Sequence, residues 1–310
     1  MKTRVLVTGG AGFLGSNLCK ALLNSEYEVI CLDSFTTGAT TNIDEFAQHP
    51  NFTLIEHDVR MPFDVDCDVI INMACPASPP RYQINPVGTL MTNVLGTFHG
   101  LELARKRNAR FIQASTSEIY GDPLVHPQTE DYWGNVNPIG PRSCYDEGKR
   151  AAETLCYDFR SKHHVKTTIV RIFNTYGINM ARNDGRVVSN LIVQAIDGKK
   201  LTMYGDGKQT RCFCYVSDLI EAFMKIISSK EDITGPLNLG NTHEVTMLEL
   251  GAKIQEILGI TREFEFKGLP SNDPSRRKPD ISLATSQLGW KPVVPLEAGL
   301  DLTIKYFKEN

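Results

Sequence analysis

A glycine-rich turn near the start of the chain constrains the possible folds more than any other feature. An apolar strand predicted over 4–8 is followed by Gly9, Gly12 and Gly15, and then by an amphipathic helix predicted over 16–24. Glycine tolerates positive φ and leaves room for a ligand, while the first N–H groups of a helix lack partners within it. Strand, turn and helix in this order predict a nucleotide phosphate site. A structural turn without a ligand is the alternative.

A carboxylate at the end of the next predicted strand indicates which nucleotide binds. Asp33 follows the strand predicted over 28–32, roughly 20 residues after Gly15, as in dinucleotide-binding folds. It can accept hydrogen bonds from ribose hydroxyls and would repel a 2′-phosphate, which favours NAD over NADP. Asp58 follows a later strand, where an adenine edge could be read, although an Asp there is often a turn residue. The further predicted cofactor contacts are Phe13, Leu14, Val59 and Ala74.

The order of predicted elements gives the fold class. Strands are predicted over 4–8, 28–32, 52–56, 69–72, 110–114 and 166–171, and helices over 16–24, 86–107 and 143–163. Alternating strands and helices with nearly continuous apolar strands predict a parallel sheet covered on both faces. This is a doubly wound (Rossmann) α/β fold.

The pattern changes after residue 174 and predicts a smaller C-terminal substrate-binding lobe. Further helices are predicted over 187–197, 216–227 and 246–258, a strand over 201–204, a turn over 205–207 and a basic loop over 270–279. We therefore divide the chain into a dinucleotide-binding domain, 1–174, and a region that is mainly substrate lobe, 175–310. Part of 205–240 is a candidate to return to the first domain.

Composition excludes several classes of function. The formal net charge of −3 lacks the basic excess of a nucleic-acid-binding protein. No apolar run approaches the roughly 20 residues of a membrane span. The first apolar run is too short for a signal peptide, so we expect a cytoplasmic protein. The eight cysteines are scattered without metal-ligand spacing, so we expect reduced thiols and no metal site.

A tyrosine and a lysine predict the catalytic chemistry. Tyr145 and Lys149 form a Tyr-x-x-x-Lys motif in the helix predicted over 143–163, which places both on one helix face. A cationic Lys149 is expected to lower the pKa of Tyr145, so that the phenolate can take a proton from a sugar hydroxyl. A solvent-exposed helix face is the alternative.

A hydroxyl-rich segment, 113–121, follows a predicted strand and supports the catalytic interpretation. Its hydroxyls lie where open parallel sheets bind ligands. Together with the glycine turn and Tyr-x-x-x-Lys, this segment resembles the extended short-chain dehydrogenases that act on nucleotide sugars, over essentially the whole chain. The resemblance implies a triad of Thr116, Tyr145 and Lys149, with Thr116 orienting the hydroxyl and Lys149 also touching the nicotinamide ribose.

The residues after Thr116 distinguish reactions within that family. Related dehydratases carry Asp-Glu there and 4-epimerases small or apolar residues, whereas Ser117-Glu118 resembles UDP-glucuronate decarboxylases. Residues 74–83, 140–150, 184–190 and 204–211 are also similar to UDP-xylose synthases. This resemblance implies that Arg277 is directed at the sugar carboxylate. A proline that usually follows the segment 174–177 is absent here, where 178–182 reads INMAR.

The resemblance implies a complete reaction on UDP-glucuronate. Oxidation at sugar carbon 4 makes a β-keto acid, CO2 leaves, and bound NADH reduces the product to UDP-xylose, with Tyr145 as base and later as acid. The implied substrate contacts are Pro79, Tyr82, Glu118, Asn174, Arg186, Val188, Arg211 and Arg277. Pro79 and Tyr82 could equally be loop packing.

Alternative functions stay open at this point. They are a UDP-sugar 4-epimerase, a decarboxylase that releases UDP-4-keto-pentose with NADH, and an NAD-binding regulatory protein without turnover. The resemblance also implies a homodimer that pairs the helices predicted over 86–107 and 143–163.

Overall fold

The computed structural model describes residues 2–269 and 276–310. Strands and helices alternate in the first half: β1 (Arg4–Thr8), α1 (Phe13–Asn24), β2 (Glu28–Asp33), β3 (Phe52–Glu56), β4 (Val69–Asn72), α2 (Pro79–Tyr82), α3 (Pro86–Arg107), β5 (Arg110–Thr116), α4 (Ser143–His163) and β6 (Thr167–Ile172). Shorter elements follow: β7 (Thr175–Tyr176), α5 (Val187–Ile196), β8 (Leu201–Tyr204), β9 (Thr210–Cys212), β10 (Cys214–Tyr215), α6 (Val216–Ser228), β11 (Leu237–Leu239), β12 (Glu244–Thr246), α7 (Met247–Leu258), β13 (Phe264–Lys267), β14 (Arg276–Arg277), α8 (Ser282–Leu288) and α9 (Leu296–Glu309).

Within the described residues, seven parallel strands form the main sheet in the order β11–β6–β5–β4–β1–β2–β3. The chain leaves β1 in one direction for β2 and β3, and in the other for β4 and β5. The carboxyl ends of β1 and β4 therefore form a topological switch point, where open α/β sheets bind ligands. The predicted doubly wound fold is confirmed.

Both faces of the sheet are covered, because alternate residues of the apolar strands point to opposite sides. Val5 and Val7 belong to the core that contains α1 and α6, whereas Leu6 lies in the core formed with α3 and α4. All three side chains are fully buried. Gly100 of α3 lets that helix approach the sheet closely, since a Cβ there would lie 2.7 Å from the Phe111 ring.

The second half contributes small sheets and one strand of the main sheet. Leu237–Leu239 pairs with β6 at the edge of the main sheet, and α6 packs beside α1. Two elements from residues 205–240 therefore lie against the first half of the chain. The division into two regions at residue 174 stays a prediction.

Several boundaries differ from the sequence expectations. Arg276–Arg277 is not loop but a strand that pairs with β9, while the other predicted loop residues 270–275 lie outside the described residues. β5 extends through Thr116. Thr246 is the N-cap of α7 in a capping box with Glu249, rather than its first residue. The helices α8 and α9 were not predicted, and no helix in the described part of the chain could span a membrane.

Candidate active site

A cavity of about 1350 Å³ lies at the carboxyl ends of the parallel strands. It is larger than the roughly 300–1,000 Å³ of a pocket for one small ligand, so it has room for two. Loops after β1, β2, β3, β4, β5 and β6 line it, together with residues of α5, β9 and β14. The structure thus brings the two predicted halves of the site to one cavity.

The glycine turn is shaped by close backbone approaches. Gly9 has a φ of +70°, and its N–H donates to the Leu32 carbonyl at 2.8 Å. A Cβ on Gly9 would lie 2.9 Å from the backbone of Ala74, and one on Gly15 only 2.1 Å from the Gly9 oxygen. Gly12 is the N-cap of α1, lines the cavity and provides no side-chain cap. The N-terminus of α1 therefore presents N–H groups to the cavity.

Asp33 is fixed at the end of β2 by main-chain donors. Its Oδ2 accepts from the N–H of Ala11 at 2.9 Å and its Oδ1 from the N–H of Phe35 at 2.8 Å. Burial raises the pKa of the carboxyl, while these hydrogen bonds lower it. The carboxylate lines the cavity in a set orientation and keeps further lone pairs for a ligand.

The other predicted cofactor contacts also line the cavity. Asp58 is paired with Arg60, and the hydrogen bonds from Arg60 are the main reason that the pKa of Asp58 is lowered. Val59 is buried against Gly96 of α3. The remaining members that line the cavity are Phe13, Leu14 and Ala74.

Tyr145, Lys149 and Thr116 meet inside the cavity. The Nζ of Lys149 lies 5.9 Å from the centre of the Tyr145 ring and donates to the Ala114 carbonyl at 2.7 Å. The side chain of Thr116, at the end of β5, lies close enough to Tyr145 to lower its pKa. The three predicted members of the triad are thus adjacent, and a solvent-exposed helix face is excluded because Tyr145 and Lys149 are buried.

The electrostatics of this triad differ from the sequence expectation. Burial raises the pKa of Tyr145 well above its usual value, the charge of Glu118 adds to the rise, and the side chain of Thr116 opposes it. Lys149 does not lower the pKa of Tyr145 below the usual range as expected, and burial lowers the pKa of Lys149 itself. Desolvation is the largest cause of both shifts, because it penalises the charged form of each group.

Tyr82 lies behind the triad rather than on the cavity wall. Its ring stacks on that of Tyr145, with centroids 5.2 Å apart and planes 7° from parallel, and only 1% of the residue is exposed. Its hydroxyl is buried without a hydrogen-bond partner among the described residues. This differs from the expectation that Tyr82 shapes the sugar pocket directly, whereas Pro79, at the start of the same short helix, lines the cavity.

Glu118 is held between two arginines. Thr116 caps the short helical turn Ser117–Tyr120 by accepting from the N–H of Glu118 at 3.2 Å. Oε2 of Glu118 lies 2.6 Å from Nη2 of Arg142, and Oε1 lies 2.7 Å from Nη1 of Arg277. Burial alone would raise the pKa of Glu118, but the charges of the arginines lower it overall.

Arg277 reaches this position through a strand pairing that sequence analysis did not predict. In the parallel pair β14–β9, Arg277 lies opposite Arg211, which places both arginines at the cavity. Nη1 of Arg277 is 3.4 Å from Oδ1 of Asn174, and its Nε is buried without a partner among the described residues. Nη1 of Arg211 donates to the Thr210 carbonyl at 2.9 Å.

The start of α5 supplies the remaining predicted substrate residues. Arg186 is the N-cap of the helix, pairs with Asp184 at 3.2 Å and lies over the Phe13 ring. Val188 is buried in the first turn, and both residues line the cavity. Ser117 also lines it.

Sequence analysis missed two residues that flank Tyr145. Arg142 is the N-cap of α4, and Asp146 is buried with an Oδ1 that has no partner within residues 2–269 and 276–310. Burial, reinforced by the charge of Glu118, raises the pKa of Asp146 to about 7. The sequence signal that could have identified them is their closeness to the motif, three residues before and one residue after Tyr145. In the same described ranges, no group of three or more His, Cys, Asp or Glu is arranged to hold a metal.

The chain is similar to known proteins over its whole length. UDP-glucuronic acid decarboxylase 1 of Xenopus tropicalis is 50% identical over 309 residues, which are 100% of this chain and 73% of that protein. UDP-glucuronic acid decarboxylase 6 of Arabidopsis thaliana is 52% identical over 306 residues, covering 98% and 89%.

The chain also superposes on solved structures of related proteins over nearly its whole length. UDP-glucuronic acid 4-epimerase from Bacillus cereus, in complex with UDP-glucuronic acid and NAD, superposes with a TM-score of 0.90 at 31% identity over 99% of each chain. UDP-glucose 4-epimerase from Thermotoga maritima, with UDP-glucose, has a TM-score of 0.89 at 27% identity over 99% of each chain. Residues 5–240 match the model of the NAD dependent epimerase/dehydratase family, and the chain therefore belongs to that family.

Proposed function

We propose that this protein is an NAD-dependent decarboxylase that converts UDP-glucuronate to UDP-xylose and CO2. The ion pair between Glu118 and Arg277, inside the cavity that holds Tyr145, carries the proposal because it places a carboxylate-binding group beside a redox triad. The decarboxylases that are about half identical to this chain confirm the predicted class of enzyme.

The residues of the first half fit the cofactor of the family. The N-terminus of α1 offers N–H groups to a diphosphate, and Gly12 leaves the approach open. Asp33 would bind the adenosine ribose, with Phe13, Leu14, Asp58, Val59 and Ala74 around the nucleotide. When bound, NAD supplies a hydride acceptor for the first half of the reaction and a hydride donor for the last.

Tyr145 moves the proton of the hydroxyl at sugar carbon 4. The hydroxyl of Thr116 lies beside Tyr145 and would orient that sugar hydroxyl. Because burial raises the pKa of Tyr145, the phenolate must be stabilised by positive charge during the reaction, which Lys149 and the nicotinamide ring of bound NAD would provide. The tyrosine accepts the proton in the first step and returns it in the last.

The carboxylate on sugar carbon 5 is the part of the substrate assigned to Arg277, Glu118 and Ser117. After carbon 4 is oxidised, the carboxylate on carbon 5 is β to a ketone, so CO2 leaves with its bonding electrons remaining as an enolate. Arg277 would position that carboxylate, and a proton added to carbon 5 completes the step. Since its pKa is lowered, Glu118 serves as an acceptor that orders a proton-donating water rather than as the acid, with Ser117 beside it.

The nucleotide end of the substrate needs cations for two phosphates and a pocket for the base. Arg211 provides a guanidinium that matches phosphate oxygens. Asn174, two residues after β6, contacts Arg277, which lies opposite Arg211 in the β14–β9 pair. Arg186 and Val188 at the start of α5 would contact the uridine, and Pro79 would border the sugar.

A 4-epimerase reaction is the second candidate, because the Bacillus cereus structure that binds UDP-glucuronic acid is an epimerase. The two reactions share the first step and differ in the fate of the carboxylate. The decarboxylase proposal is favoured by the higher identity of the decarboxylases.

The purified protein should be incubated with UDP-glucuronate without added NAD, and the products followed by NMR. We expect UDP-xylose and CO2 without net NADH. UDP-4-keto-pentose with stoichiometric NADH, formed only when NAD is added, would mean that the last step fails. UDP-galacturonate without CO2 would replace the proposal with the epimerase.

We also propose a cytoplasmic homodimer. Eight free cysteines suit a reducing compartment. Val87, Met91 and Phe98 lie exposed on one face of α3, and Tyr157 is exposed on the adjacent α4. Such an apolar face favours association with a second copy. Light scattering should give twice the chain mass, and Val87→Glu should lower it.

A further inference from the structure

We infer that Arg142 is a positioning residue for the proposed reaction. Arg142 holds Glu118 in place while Arg277 exchanges its contact with Glu118 for one with the substrate carboxylate. The inference rests on the proposed function and deepens it. It concerns selectivity for a sugar that carries a carboxylate.

The geometry gives each arginine its own oxygen of Glu118. Arg142 binds Oε2 at 2.6 Å, and Arg277 binds Oε1 at 2.7 Å. The exposed fractions of the side chains are 10% for Arg142, 15% for Glu118 and 7% for Arg277. A nearly buried carboxylate therefore has two independent partners, and either pair can form without the other.

Arg277 is the partner suited to exchange. Both arginines line the cavity, but the Nε of Arg277 is buried without a hydrogen-bond partner among the described residues, so Arg277 is the less fully engaged of the two. A substrate carboxylate could bind the two Nη groups of Arg277 as a bidentate pair. To reach that geometry, Arg277 must weaken its contact with Glu118, because both carboxylates compete for Nη1.

That exchange would be unfavourable if Glu118 had no second partner. A buried charge that loses its partner is strongly destabilised, and the pKa of such a carboxyl rises. Arg142 removes this penalty, since it stays bound to Oε2 when Arg277 leaves. Glu118 then remains ionised and keeps its role as the acceptor for water.

The backbone of Arg142 links this pair to the catalytic tyrosine. Arg142 is the N-cap of α4, and its carbonyl accepts from the N–H of Tyr145 at 2.9 Å and of Asp146 at 3.1 Å. The side chain therefore extends from the turn that carries Tyr145 to the turn that carries Glu118. The position of its backbone is set by the helix.

The test compares ligands with and without a carboxylate. In a Tyr145→Phe background that prevents turnover, calorimetry with NAD-loaded protein should measure the affinities for UDP-glucuronate and UDP-glucose. Adding Arg142→Gln should weaken UDP-glucuronate binding about ten- to a hundred-fold and change UDP-glucose binding less than about two-fold. Arg142→Lys, which keeps the charge but not the fork, should restore part of the affinity.

A double-variant cycle separates positioning from a general structural effect. When Glu118→Gln is already present, no buried anion needs Arg142, so adding Arg142→Gln should change UDP-glucuronate binding less than about three-fold. Arg171→Gln is the matched control. It breaks an equally buried arginine–glutamate pair, to Glu153 at 2.8 Å, which does not line the cavity, so it should leave the ratio of the two affinities unchanged.

Each outcome has one meaning. Equal weakening of both ligands by Arg142→Gln, or the same loss with and without Glu118→Gln, would overturn the inference while the wild-type protein still forms CO2. If Arg142→Gln does not fold, the same comparison is made with Arg142→Lys. If the wild-type protein releases no CO2 from UDP-glucuronate, both the proposed function and this inference fall.

Discussion

The two ends of the cavity are built in different ways. The end at the glycine turn uses backbone: Gly9, Gly12 and Gly15 remove side chains so that main-chain groups can approach each other and a ligand. The other end uses side chains, with Glu118 held between Arg142 and Arg277 from distant segments. A backbone site fails when an atom is added, whereas a site of paired charges fails when one partner is removed.

Tyr145 lies where the two ends meet, and its loss should have the largest effect. Tyr145→Phe removes the proposed proton acceptor but keeps the ring that stacks on Tyr82. We expect kcat to fall about 10²–10⁴-fold, with the affinity for NAD unchanged. Tyr157→Phe on the same helix is the control, because it removes the hydroxyl of a tyrosine that does not line the cavity. Wild-type turnover by the Tyr145 variant would refute its assignment.

Adding atoms to the backbone end should produce the next largest effect. A Cβ on Gly12 would meet only the Gly9 oxygen, at 3.1 Å, so Gly12→Val should fold, yet it would fill space where a diphosphate approaches the helix. We expect about a hundred-fold weaker NAD binding in a fluorescence titration, with UDP binding nearly unchanged. Gly268→Ala, where a Cβ would meet nothing within 4 Å, should bind NAD normally. Normal NAD binding by the Gly12 variant would show that the cofactor lies elsewhere.

The charged end should make the stability of the folded protein depend on pH. The pKa of Asp146 is raised to about 7 in the folded protein from an ordinary value near 3.8. The stabilising contribution of this raised pKa is fully present below pH 3.8 and is lost as the pH rises through 7. The free energy of unfolding of Asp146→Asn, measured with urea, should therefore rise relative to that of the wild type by about 2–3 kcal/mol as the pH is raised from 5 to 8. A constant difference would show that Asp146 titrates normally.

The contrast between the two ends also explains what the sequence could predict. The glycine turn, Asp33 and the Tyr-x-x-x-Lys motif are each contiguous or follow a long periodic element, and long elements such as α3 lie where they were predicted. Their geometry is local, so spacing along the chain is enough.

The charged end was only partly predictable, because its geometry is not local. Arg277 is positioned by a two-residue strand, which is too short to show periodicity, and its partner Arg211 is far away in sequence. Arg142 and Asp146 lie beside the recognised motif, but nothing in their spacing shows that they face Glu118. The burial that raises the pKa of Tyr145 likewise depends on Tyr82, which packs from another segment.

The parallel stacking of Tyr82 on Tyr145 has a stereochemical consequence. A buried ring held flat against a second ring cannot turn its hydroxyl from one side of the cavity to the other. The oxygen that receives a proton therefore returns it from the same direction. The configuration at carbon 4 is then kept unless the sugar itself turns over, so the handedness of the product depends on the freedom of the substrate and not on the base.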